Sequence, residues 1–241
     1  VSYFAIDSAS RIMNIKDSIL LILANLVFGW LIIQAHPTIK DPMALGEMAI
    51  MDTIKPVKPQ DTIVDVKGKY VLFIGDSHTS NPSGWQTILS NKTKMRMNNI
   101  SVGGKTTGWM LERAKESIHE GLDYCFIYGG ANDTYNSKIT IESAVKNVQR
   151  IVNICNSKGV YPVVITGFNP LVCINTPENP NYRIKYSNFQ NELVNKIEGA
   201  TVVITHVVDR KDCWDGLCHM APSGHKKIAN CVIKEMKFKT Y

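Results

Sequence analysis

The chain has 241 residues, of which 44% are hydrophobic and 20% charged, with a formal net charge of +6. That is enough apolar material for one globular core, and it excludes a disordered, collagenous or wholly membrane-embedded chain. The positive charge does not mark a nucleic-acid surface: its clearest cluster, Lys226, Lys227, Lys234, Lys237 and Lys239, falls at a predicted C-terminal helix, lacks interleaved aromatics and reads as a solvated face.

Residues 1–35 read as a leader. The run 19–33 is apolar apart from Asn25, follows Arg11 and Lys16, and meets no charge until Lys40. Its length matches a short membrane anchor or a signal-peptide core, and the preceding basic flank predicts an N-terminus inside and the rest outside. A signal peptide would be cleaved after Ala35; an uncleaved anchor and a buried core helix are the other readings of the same run. Met13, followed by Asn14-Ile15-Lys16, is the expected start of such a leader. Residues 36–68, with His36-Pro37, Asp41-Pro42 and Lys55-Pro56-Val57-Lys58-Pro59, read as a polar tether.

Residues 69–241 alternate between strand and helix patterns. Apolar runs at 70–74, 98–102, 124–128, 160–166 and 200–205 predict five strands, and their continuous rather than alternating character suits a parallel sheet covered on both faces. Between the third and fourth strands, Ile141, Val145, Val148, Val152 and Cys155 recur at steps of four and three, the stripe of an amphipathic helix. Further helices are expected at 107–119, 183–198 and 221–236, the last with Pro222 in its first turn. Successive β–α units predict a three-layer α/β fold whose site lies beyond the carboxyl ends of the strands.

Four polar blocks fall where those strands end. The first strand runs into Gly75-Asp76-Ser77-His78, the second into Ser101-Val102-Gly103-Gly104, and the third into Gly129-Gly130-Ala131-Asn132-Asp133. Near the C-terminus stands Asp215-Gly216-Leu217-Cys218-His219. Gly-Asp-Ser alone is an ordinary turn composition. In this order the blocks suit acyl transfer, which needs a serine, a base for its proton, a group orienting that base, and donors aimed where the carbonyl oxygen becomes negative.

Together these blocks resemble the SGNH (GDSL-type) hydrolase family over roughly residues 69 to 236. The resemblance implies a flavodoxin-like α/β/α fold with a five-stranded parallel sheet and a serine esterase. It makes Ser77 the nucleophile, His219 the base and Asp215 the orienting acid. The oxyanion hole would comprise the Ser77 and Gly104 backbone N–H groups and the Asn132 side-chain amide. Two departures stand out. Asp215 precedes His219 by four residues where the family has three, which requires a bulge at Leu217-Cys218 or makes Asp212 the competing acid; and Ser101 stands where the family often has glycine.

Other groups have blander readings. His36, His78, His119, His206 and His225 are expected to be structural or exposed, with His78 placed to line the cleft beside Ser77. No metal-ligand spacing occurs, and Gly103-Gly104-Lys105-Thr106 lacks the first glycine of a phosphate-binding loop, so no cofactor or metal is expected. Cys125 and Cys155 read as buried thiols, and Cys213 and Cys218 as a possible brace for the catalytic loop. The partners expected are an acylated small molecule or carbohydrate and, through the leader, a membrane; nucleic acid is not expected. An O-acetyl group on a carbohydrate is the leading substrate, with a lysophospholipid or thioester, or a non-catalytic binding module in a surface or virion assembly, as alternatives.

Overall fold

The computed structural model describes residues 62–173, 180–214 and 219–241. All of them belong to Lys58–Tyr241, one of the two units into which the chain divides. The apolar run 19–33 falls in the other unit and outside the described residues, as do Asp215 and Cys218. Among the described residues no helix is long and apolar enough to cross a membrane.

Five parallel strands form the sheet: β1 (Tyr70–Gly75), β2 (Arg96–Asn99), β3 (Tyr124–Tyr128), β4 (Tyr161–Ile165) and β5 (Thr201–Val203). Their order is β2-β1-β3-β4-β5. The order reverses between β1 and β3, and in open α/β sheets that reversal leaves a crevice at the carboxyl ends. β1 and β3 are buried along nearly their whole length, as continuous apolar strands must be when helices cover both faces.

β2 differs from its prediction. It begins at Arg96, two residues before the apolar run, and its burial is slight because it is an edge strand. The predicted residues still follow β1, since Ile100 and Val102 donate their N–H groups to Phe73 and Gly75. The chain therefore runs along β1 all the way to the second glycine block.

The helices are α1 (Ser77–Ser80), α2 (Trp85–Thr93), α3 (Thr107–Ser117), α4 (Ala131–Tyr135), α5 (Ile141–Ser157), α6 (Pro170–Cys173), α7 (Pro180–Lys196) and α8 (Pro222–Glu235). α5 buries the predicted stripe from Val145 on, with Ala144 and Ile151 added and Ile141 half-buried, and Thr140 caps it by accepting from the Ser143 N–H. α2 had no clear signal, because buried Gln86, Ser90 and Thr93 interrupt its apolar face of Trp85 and Leu89. α2 packs with α8, while α3 and α7 flank α5, giving helix layers on the two faces of the sheet.

The domain also begins before Lys69. Residues 64–68, expected in the tether, join the core instead: Val66 is fully buried and Val64 pairs with Phe238 beyond α8. Two backbone hydrogen bonds, Val64 N–H to Lys237 O and Lys239 N–H to Val64 O, fasten this entry strand to the C-terminus.

Candidate active site

The turn carrying Ser77 is built by a close crossing of chains. A methyl group on Gly75 would stand 2.1 Å from the carbonyl oxygen of Tyr128, so only glycine lets the end of β1 lie against β3 there. Asp76 then caps α1 by accepting from the His78 N–H at 3.0 Å, which leaves Ser77 half-buried at the first position of that helix.

Asp76 is fully buried and reaches further than its own turn. It also receives the Gly130 and Ala131 N–H groups and, at 3.3 Å, the Asn132 side-chain amide. Burial lifts its carboxyl to about 7, with the neighbouring Asp133 adding to the effect and the three backbone N–H groups opposing it. Gly130 has φ +105°, and a side chain there would strike the Phe189 ring, so this loop too depends on glycine. Asn132 makes a second bond, from Nδ2 to the Lys105 carbonyl at 3.0 Å. One amide thus joins the Gly75–His78 block to its own and to Lys105, the residue that follows the glycine block.

In the glycine block, Gly103 is the residue against the serine: a methyl on it would stand 3.7 Å from Ser77 Cβ. Gly104, favoured from the sequence, follows in the left-handed region at φ +75° and faces open space. Asp133, for which the sequence suggested no role, accepts from the Thr107 N–H at 2.9 Å and the Thr107 hydroxyl at 2.6 Å, fixing the start of α3. Burial raises its carboxyl, against those two bonds.

His219 arrives from the far end of the chain. Its Nε2 lies 3.1 Å from Ser77 Oγ, a hydrogen-bonded approach between residues 142 apart in sequence. The segment carrying it is a narrow antiparallel pair in which Cys213 bridges Met220 and the Trp214 N–H donates to the His219 carbonyl at 2.7 Å. Asp215, the expected orienting acid, lies in the four residues between them, outside the described part.

Asp212, the competing acid, is engaged elsewhere. Its Oδ2 receives Lys227 Nζ at 2.6 Å and the Asp209 N–H at 3.0 Å, closing a capping box on the 3₁₀ turn Arg210–Asp212. Burial alone would raise its carboxyl, but Lys227, the Asp209 N–H and the Ser223 hydroxyl together hold it at about 2. Its carbonyl accepts from Ala221, so Asp212 anchors the base of the His219 segment.

Behind the reacting pair is an aromatic box. The His78 ring is buried, stacks on Tyr128 at 5.3 Å, meets Phe168 edge-on and lies 5.8 Å from the His219 ring. Among the described residues neither of its ring nitrogens has a hydrogen-bond partner. Sequence reading placed His78 at the cleft mouth; the structure puts it beneath the surface, against the base. His225 accepts from the Trp85 N–H at 3.3 Å, His206 bonds Gln190 at 2.8 Å, and Cys125 and Cys155 are buried thiols.

Among the described residues no cluster of acids, histidines or cysteines could hold a metal ion. A depression of about 500 Å³ lies at the opposite end of the sheet, lined by Asn156, Tyr161 and Thr201, away from this constellation. The chemistry available at the carboxyl ends is a serine hydroxyl with an imidazole to take its proton, and an amide and glycine backbone beside it.

Comparison with known proteins identifies the family and agrees with the fold. A family model described as GDSL-like lipase/acylhydrolase matches residues 71–232. An acetylxylan esterase from Geobacillus stearothermophilus is similar in structure, with a TM-score of 0.57 at 17% identity, over 73% of this chain and 98% of that one. A member of the lipolytic G-D-S-L family from Veillonella parvula gives 0.58 at 12% identity, over 69% and 97%. A psychrotrophic esterase from Pseudoalteromonas sp. gives 0.54 at 15%, over 70% and 97%. A search of curated protein sequences finds no significant match.

The unpartnered ring of His78 has a measurable consequence. Burial, with smaller contributions from His219 and His225, lowers its pKa from 6.5 to about 3. The folded state then binds fewer protons than the unfolded chain, so this contribution is whole above pH 6.5 and drains away as the pH falls toward 3. Asp76, raised rather than lowered, has the opposite sign: its contribution is whole below 3.8 and is lost as the pH rises through about 7. His78→Phe isolates the histidine. It should be about 1–3 kcal/mol more stable than wild type at pH 7, because no buried nitrogen is left unpaired. The advantage should grow by about 2 kcal/mol at pH 5. Urea denaturation at the two pH values reads both; a variant weaker at pH 7 and no better at pH 5 counts against it.

Proposed function

Because the chain belongs to the GDSL-like lipase/acylhydrolase family and is an ester-bond hydrolase, we propose that it cleaves short-chain oxygen esters, O-acetyl groups on carbohydrate foremost, through a covalent acyl-enzyme on Ser77. The observation that carries this reading is the 3.1 Å approach of His219 Nε2 to Ser77 Oγ. Ser77 Oγ attacks the ester carbonyl while His219 takes its proton; the tetrahedral intermediate collapses as His219 returns that proton to the departing alcohol. Water, deprotonated by the same imidazole, then releases the acid and restores Ser77.

The negative oxygen of each intermediate needs donors. We assign these to the Ser77 N–H, the glycine-block backbone at Gly104 and the Asn132 amide. In the resting state Asn132 Nδ2 is bonded to Lys105 O and Asp76 Oδ2. Both N–H donors of the amide are thereby engaged, so its service to the oxyanion requires substrate to displace one of these bonds while the other keeps the side chain in place. Asp215 is assigned to orient His219, supported by the commitment of Asp212 to Lys227 and the Asp209 N–H.

A fluorophosphonate probe tests the core of the reading. Wild type should be labelled at Ser77 and should hydrolyse p-nitrophenyl acetate, and Ser77→Ala should lose both while keeping its fold by circular dichroism. Labelling that persists in the variant would place the nucleophile elsewhere.

Asn132→Ala should lower kcat by roughly 10²–10³-fold, with a much smaller change in KM. A raised KM at unchanged kcat would make Asn132 a ground-state contact only.

Asp215→Asn should lower kcat by about 10⁴-fold with little effect on folding. Asp212→Asn should instead act on stability, since it removes the charge paired with Lys227. A severe catalytic loss in a stable Asp212 variant would exchange the two roles.

A further inference from the structure

Trp214 is 57% exposed, an unusual setting for an indole. Its position is tied to the reacting pair. In the antiparallel pair that bridges Cys213 to Met220, Trp214 stands opposite His219, and its N–H donates to the His219 carbonyl at 2.7 Å. Residues directly opposite on antiparallel strands project to the same side. The indole is therefore on the side of the imidazole whose Nε2 meets Ser77.

The rest of the rim is mainly polar, with Val102, 41% exposed, as an apolar member beside the glycines. Ser80, Gly103, Gly104 and Asn132, the partly exposed residues about Ser77, offer hydroxyl, backbone and amide groups. A long acyl chain wants a walled apolar channel. A pyranose ring wants something else: a flat apolar surface for its C–H face and hydrogen-bonding groups for its hydroxyls. An exposed indole beside a mainly polar rim supplies both.

We propose that Trp214 is a substrate-positioning residue, a platform on which the sugar ring bearing the scissile ester stacks. This deepens the esterase reading above and rests on it. Stacking would hold the ester carbonyl over Ser77 without touching the reacting atoms, so it acts on binding of the carbohydrate rather than on bond breaking. Withdrawing about 60 Å² of apolar surface from water corresponds to roughly a tenfold gain in affinity.

The test uses the full chain with two probes, acetylated xylo-oligosaccharide and p-nitrophenyl acetate, with p-nitrophenyl octanoate as a third. Trp214→Ala should lower the ratio of kcat/KM for the oligosaccharide to that for the aryl acetate about tenfold, chiefly through KM, and Trp214→Tyr should restore most of it. Tyr70→Ala, which removes a 51% exposed aromatic at the start of β1, should leave the ratio as in wild type. An equal loss on both acetates would overturn the proposal, making the indole a structural prop for His219. So would a loss that deepens from acetate to octanoate, which would make it an acyl wall, or no loss at all. If wild type hydrolyses none of the esters, the esterase reading fails by itself. Affinity electrophoresis on the oligosaccharide then decides for the platform: retardation weakened by Trp214→Ala upholds it, and retardation unaffected by that change, or absent, overturns it.

Discussion

The carboxyl of Asp76 gathers the hydrogen bonds that join the two sides of the sheet reversal. It stands at the end of β1, accepts from its own turn at His78, and accepts again from Gly130, Ala131 and Asn132 beyond β3. A buried carboxyl with fewer donors would be a large cost; with this many it becomes a rigid joint. The position of Ser77 on α1 and of the Asn132 amide follow from that joint. So does the requirement for glycine at 75 and 130, where other chain atoms leave no room for a side chain.

The candidate base is held quite differently. His219 is exposed and comes from a narrow surface pair, not from the sheet. Its support is at the root of that pair, where Asp212 is locked to Lys227 of α8, to the Asp209 N–H and to Ala221. Ser77 is therefore set by the core, and His219 by an ion pair at the edge of the domain. The low pKa of Asp212 expresses how firmly that edge is tied. Behind both lies the box of His78, Tyr128 and Phe168, whose apolar character keeps the His78 imidazole neutral beside His219.

Much of this was legible in the chain of residues. Continuous apolar runs announced a covered parallel sheet, and the stripe from Ile141 to Cys155 announced its principal helix, because burial on both faces and burial on one leave different periods. The polar blocks gave the family and proposed Ser77, Asn132 and His219, which the fold brings to one end of the sheet. What was misread lay where local pattern and burial part company. β2 is an edge strand, so its ladder needed no apolar run; α2 buries polar side chains and so lacks a stripe; residues 64–68 look like linker but are captured by the C-terminal segment after α8.

The sequence by itself determined the fold class, the family and the candidate residues, since strand periodicity and the order of the polar blocks are local properties of the chain. Only the tertiary structure decided which of them meet. The 3.1 Å contact of His219 with Ser77 spans 142 residues. The engagement of Asp212 with Lys227 and the approach of Gly103 to Ser77 are likewise invisible to spacing. The reason is physical: a residue's neighbours along the chain set its backbone preferences, whereas its partners in space are set by how buried strands and their covering helices pack.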